Sequence, residues 1–282
     1  MYPNPFEYHR AGSVDEAISL LQQLGDDAKL IAGGHSLLPT MKLRLANPEH
    51  LIDITGIAGM SEVKDAGEYL EIGALTTHAE LIRNELINQH APLLAEIAHQ
   101  VGDRQVRNRG TIGGVVAHAD PAADYPAGLL ALDAEIVSVG PNGETVTPAN
   151  DFFISIFTTT LSPDEVVTAI RVPKTAGAGV AYEKLANQAS GYAIVGVAAV
   201  VKDGAVKIGV TGVADRAFRA SNAEAALSGG SLDEGTVRQA TRNITEGAEA
   251  MGDIHASETY RRRVADGLAA RAVLKAASRA GK

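Results

Sequence analysis

Residues 14–24 place Val14, Ala17, Ile18, Leu20, Leu21 and Leu24 at helical spacing, and Ser13 stands where an N-cap belongs. Gly25 stops the run. The short apolar stretch Leu30-Ile31-Ala32 predicts a strand that ends at Gly33-Gly34. A helix-like piece at 37–45 and a strand at Leu51-Ile52-Asp53-Ile54 follow. Residues 1–55 therefore form a small α/β unit by expectation.

From 56 to about 173 the pattern changes to strands and helices of another kind. Tyr69–Ala74 predicts a strand, Thr77–Leu86 and Pro92–Val101 predict helices, and a second glycine pair, Gly113-Gly114, comes after them. Glu135–Val139 and Glu144–Thr147 flank Pro141-Asn142-Gly143, a hairpin signal, and Val166–Val172 closes the region as a strand. The flexible stretch Lys174–Gly179 sets the main boundary. Beyond it, Ala193–Val201 and Val206–Val213 are strands joined through Asp203-Gly204. Ala223–Leu227, Thr236–Ala250 and Glu258–Ser278 are expected helices, the last capped by Ser257 with Tyr260, Val264 and Leu268 on one face. The expected class is α+β: a two-part domain at 1–176, split into 1–55 and 56–176, then a C-terminal domain at 177–282 with an antiparallel sheet and helices.

Composition narrows the function. The 282 residues are 45% hydrophobic and 21% charged, and no apolar stretch approaches the roughly 20 residues of a membrane-spanning helix. No export signal is read at Met1–Glu7, so the cytoplasm is the expected compartment. A net charge of −9 argues against general nucleic-acid binding, and the basic run Arg261-Arg262-Arg263 is expected on a solvated helix face. There is no cysteine, so disulfides, thiolate nucleophiles and iron–sulfur clusters are all excluded from this chain. A redox role would need an organic carrier, with any cluster on a partner.

The two glycine pairs carry the strongest candidate chemistry. Ala32-Gly33-Gly34-His35-Ser36 and Thr111-Ile112-Gly113-Gly114 each follow an element that ends abruptly, and successive N–H groups in such turns can converge on an anion. A pyrophosphate suits them. Neither matches G-x-G-x-x-G or the Walker pattern, and there is no G-x-S-x-G elbow. Farther on, His118, Asp120 and Asp124 could serve a metal, but one Asp suffices to accept hydrogen bonds from ribose or ribityl hydroxyls, and Asp120-Pro121 also suits a turn. No metal is assigned to the chain. His35 is most simply a hydrogen-bond donor beside phosphate, with a catalytic base or covalent flavin attachment as the alternatives.

The ordered set Ile31–Arg44, Gln105–Gly114 and Ala117–Asp124 resembles the FAD-binding medium subunit of molybdenum hydroxylases, carbon monoxide dehydrogenase type. The xanthine dehydrogenase middle domain is a more distant likeness. The resemblance extends to Tyr182-Glu183-Lys184-Leu185 and Ser257–Arg271. It implies non-covalent FAD between the two domains, with Ala32, Gly33, Gly34, His35, Ser36 and Leu37 and then Thr111, Ile112, Gly113 and Gly114 around the pyrophosphate. Asp120 and Asp124 would stand near flavin-side hydroxyls, and Leu161, Lys184 and Tyr192 near the ring. Core packing is the competing expectation for Tyr192 and a solvated surface for Lys184. Val115 stands where relatives commonly carry a polar residue.

The resemblance further implies a large partner with the molybdenum cofactor and a small partner with [2Fe–2S] clusters, assembled as a dimer of heterotrimers. Electrons would pass to quinone, NAD or O₂, with contact at the inner face of the membrane through the acceptor as part of the expectation. No side chain of this chain is then a catalytic acid or base. Carbon monoxide leads the substrates. The alternatives are a medium subunit for purines, aldehydes or N-heterocycles, a free-standing flavin oxidase or reductase, and an assembly subunit without flavin.

Overall fold

A computed structural model describes residues 1–281. The N-terminal unit is a three-stranded parallel sheet in the order β1-β3-β2, formed by β1 (Glu7–Arg10), β2 (Ala28–Ile31) and β3 (His50–Asp53). Helix α1 (Val14–Leu24) crosses from β1 to β2, and Ser13 caps it by accepting from the Glu16 amide. Helix α2 (Leu37–Lys42) connects β2 to β3. Strand β1 has no counterpart in the sequence reading, because Glu7-Tyr8-His9-Arg10 is polar and lies at the sheet edge with only His9 partly buried.

The larger unit is an antiparallel sheet in the order β4-β5-β10-β6-β7. Its strands are β4 (Val63–Asp65), β5 (Tyr69–Gly73), β6 (Glu135–Gly140), β7 (Gly143–Pro148) and β10 (Val166–Pro173), with β8 (Phe153–Ser155) and β9 (Thr158–Thr159) as a separate pair. Between β5 and β6 run α3 (His78–Arg83), α4 (Glu85–His90), α5 (Pro92–Gln100), α6 (Arg104–Arg107), α7 (Ile112–His118) and α8 (Tyr125–Ala131); α9 (Ala149–Phe152) follows β7. The single helix expected over Thr77–Leu86 is two. Asn84 adopts extended backbone, ends α3 and caps α4 by accepting from the Ile87 amide.

The C-terminal unit is an antiparallel sheet of β11 (Gly179–Ala186), β12 (Ala193–Lys202), β13 (Ala205–Thr211) and β14 (Phe218–Arg219), followed by α10 (Ser221–Leu227), α11 (Glu234–Ala240) and α12 (Glu258–Arg279). Val180, Tyr182, Ala198 and Val200 join the core of the preceding units, while Ala181, Val197, Ala199 and Val201 join the core beneath α12. Both faces of the sheet are covered. That explains the unbroken apolar run of β12, where a half-exposed strand would alternate.

Three expectations need correction here. The helix drawn over Thr236–Ala250 ends at Ala240, and the chain then turns through left-handed Asn243 and Gly247. Tyr260 is 49% exposed, so the apolar face of α12 runs through Ala265, Leu268, Ala269, Ala272 and Val273. Arg261 is buried, not solvated. Its guanidinium donates to the Ile194 and Gly212 carbonyls and pairs with Asp253 at 2.7 Å, tying α12 to the ends of β12 and β13.

Candidate functional site

A cavity of about 570 Å³ lies where the N-terminal units meet the loop before β12. Ala32, Gly33, Gly34, His35, Ser36 and Leu37 line one side. Thr111, Gly113 and Gly114 line another, and Asp120, Asp124 and Tyr192 contribute as well. Ile112, Leu161 and Lys184 are not among the lining residues.

The two glycine turns prove to be different devices. In the first, Gly34 has φ +70, and the amides of Gly33, Gly34, His35 and Ser36 donate to no described residue. Consecutive unspent N–H groups beside a cavity form an anion nest. In the second, the glycines open α7, and their amides are already engaged. Ile112 N–H donates to Thr76 O, Gly113 N–H to Ala74 O at 2.8 Å, and Gly114 N–H to the N-capping Thr111 hydroxyl at 3.2 Å. The paired backbone clamp expected from sequence is thus lopsided. Gly113 is needed for close approach, since a Cβ there would fall 2.4 Å from that of Ala74. Gly33 meets the segment that leads into the second turn: its Cβ would lie 2.1 Å from Arg109 O and 2.9 Å from Gly110 Cα. The loops touch through glycine.

His35 Nδ1 contacts Gly33 O at 2.9 Å and braces the turn. Tyr192 is 41% exposed and lines the cavity, which sets aside core packing. Burial against the cavity wall and the nearby Asp120 push its phenol up, while the Ser36 hydroxyl beside it counteracts. It brings the loop before β12 to the same cavity as the first turn.

Asp124 and Lys184 form a buried ion pair at 2.8 Å, with side chains 6% and 1% exposed. Tyr182 donates to the same carboxylate at 2.5 Å. Burial raises the Asp124 carboxyl above its ordinary range, and Lys184 and Tyr182 oppose that. The solvated-surface expectation for Lys184 is therefore wrong, and Asp124 spends both oxygens on the C-terminal sheet. Asp120 accepts from the Ala122 amide at 2.8 Å, as a turn carboxylate does. His118 lies against Phe157, so His118, Asp120 and Asp124 do not assemble a metal site. The Leu161 amide donates to Thr159, and Pro163, two residues on, reaches the cavity instead.

Sequence reasoning missed His78 and Tyr125. Both are almost fully buried, both line the cavity, and their rings stack with centroids 5.2 Å apart. His78 Nδ1 and the Tyr125 hydroxyl have no partner among the described residues. Burial holds His78 neutral, with its pKa lowered to about 4. Nothing local marks His78, which hides inside the Thr77–Glu80 capping box. Tyr125 could have been found beside Asp124 at the start of α8.

Comparison with known proteins gives this geometry its class. The chain matches the family described as FAD binding domain in molybdopterin dehydrogenase over residues 4–175 and the CO dehydrogenase flavoprotein C-terminal domain over 180–276. It belongs to the flavin-binding chains of the molybdopterin dehydrogenases. The carbon monoxide dehydrogenase medium chain of Hydrogenophaga pseudoflava is 42% identical over 279 residues, 97% of each chain. Subunit alpha of the 6-hydroxypseudooxynicotine dehydrogenase complex of Paenarthrobacter nicotinovorans is 36% identical, covering 99% of this chain and 97% of that one. A solved structure of the Hydrogenophaga enzyme superposes with a TM-score of 0.96 at 44% identity, covering 99% of this chain and all of the other.

The residues present fit FAD. Unspent amides at Gly33–Ser36 suit the pyrophosphate, Gly33 and Gly113 let the segments that carry the cradle approach one another, and His78 and Tyr125 bring orphaned polar atoms to a lining that also holds Ser36, Thr111 and Asp120.

Proposed function

We propose that this chain is the FAD-carrying electron-transfer subunit of a molybdenum hydroxylase complex. The observation that carries the reading is the run of amides at Gly33–Ser36 that donate to no described residue, on residues that line the cavity. FAD, when bound, exchanges electrons singly or in pairs and so links one-electron clusters to two-electron acceptors. The chain supplies position and electrostatics. Gly33–Ser36 hold anionic charge, His35 stiffens the turn, Tyr192 lines the site from the C-terminal unit, and the Asp124–Lys184 pair fixes that unit to the larger one. With no cysteine, the chain leaves iron–sulfur chemistry to a small partner and substrate hydroxylation to a large molybdenum partner.

The reading includes division at 176/177, a dimer of heterotrimers and a cytoplasmic complex delivering electrons to quinone, NAD or O₂. Among the described residues no helix is long and apolar enough to cross a membrane. Carbon monoxide is the first substrate to try, because a 42% identical relative is named for it. The 36% identical relative named for 6-hydroxypseudooxynicotine makes N-heterocycle chemistry the second. Copurification from the native host tests all of this. Flavin absorbance together with molybdenum and iron–sulfur subunits is the expected result; a yellow chain with oxidase activity alone would replace it with the free-standing flavoenzyme.

A further inference from the structure

Away from the cavity, on the outer strand of the parallel sheet, β1 and β3 lie in a register that sets Glu7 opposite His50. His9, two residues along β1, presents its side chain to the same face as Glu7. Three donor atoms meet there. His9 Nε2 is 3.1 Å from His50 Nδ1, and Glu7 Oε2 is 3.5 Å from His50 Nδ1 and 4.0 Å from His9 Nε2. The imidazole rings are tilted by 47° with centroids 5.2 Å apart, so they approach nitrogen to nitrogen instead of stacking.

Donors held at about 2.0–2.1 Å around a tetrahedral zinc ion stand about 3.3 Å from one another. The His9–His50 and Glu7–His50 separations already bracket that value. The remaining one closes by a small rotation of the exposed Glu7 side chain, with no movement of either strand. We propose that Glu7, His9 and His50 bind a borderline divalent cation, Zn²⁺ or Cu²⁺, with water at the open coordination positions. Two neutral imidazoles and one carboxylate are the ligand chemistry of those ions; Mg²⁺ and Ca²⁺ prefer oxygen alone. The histidines are 41 residues apart in sequence, which is why no spacing motif reveals the site and why the sequence led to an expectation of no metal. Bound metal fastens polar edge strand β1 to central β3, and β3 in turn pairs with β2, which leads into the Gly33–Ser36 turn.

The test uses the full untagged chain, stripped with a chelator and titrated with Zn²⁺ alone by calorimetry, with Cu²⁺ paramagnetic resonance as a second readout. One Zn²⁺ per chain is expected, together with a Cu²⁺ spectrum showing coupling to imidazole nitrogens. Both are lost in His50→Ala and in His9→Ala, while the metal-free variants keep the circular dichroism spectrum and flavin content of the parent. Absence of binding by the folded parent, or equal stoichiometry and affinity in both variants, overturns the site and leaves the 3.1 Å contact as a plain hydrogen bond between imidazoles.

Discussion

Lys184 Nζ lies 2.8 Å from Asp124 Oδ1, and the two side chains come from different units of the chain, β11 and the start of α8. Their pairing is buried, and Tyr182 and the Gln100 carbonyl complete it. Removing one partner strands a charge without water. Lys184→Met or Asp124→Asn should each cost about 3–5 kcal/mol, with the double variant far less than additive. Urea unfolding of the four proteins of the cycle measures it; additive costs would mean the pair is not coupled.

Gly33→Val places a side chain where Arg109 O stands 2.1 Å from the first added carbon. The loops must part, at about 1–3 kcal/mol of overpacking strain. The protein should fold yet purify without stoichiometric flavin, read from the flavin-to-protein absorbance ratio. A Gly33→Val protein that keeps its full complement would falsify the clamp.

His78 links stability to acid. Its folded pKa of about 4 lies below the ordinary 6.5, so between these values the unfolded chain binds more protons. Stability is fully present above pH 6.5 and declines as pH falls toward 4. At ~1.4 kcal/mol per unit the loss from this residue reaches roughly 3 kcal/mol. His78→Gln should flatten that part of the stability profile in thermal melts recorded across the window.

Tyr192→Phe keeps the ring and removes a hydroxyl at the cavity, where Tyr192 and Ser36 both line the wall. A polar contact to the bound flavin nucleotide, worth about 0.5–1.5 kcal/mol, is lost with it, which predicts up to roughly tenfold weaker FAD rebinding by deflavinated protein. Ser36→Ala should act alike, and the double variant should add little. Fluorescence titration with FAD decides; an effect in one variant only would break the link.

The sequence by itself determined the parts whose cause is local. Ser13 and Ser257 cap the helices they precede, Asp203-Gly204 turns the β12–β13 hairpin, and Gly34 takes the positive φ that its turn needs. The ordered glycine and Ala117–Asp124 motifs also pointed to the family. Tertiary structure decided whatever depends on partners distant along the chain. Polar β1 is a strand only because β3 lies beside it, and Arg261 leaves solvent only because two carbonyls and Asp253 await it. The second glycine turn spends its amides on Ala74 and Thr76 and the first spends none, a difference no residue pattern encodes. His78, Tyr125 and Lys184 are ordinary in sequence and unusual in place. Burial removed the water that would have answered their polar atoms, and only the packing of all the units decides where water is removed.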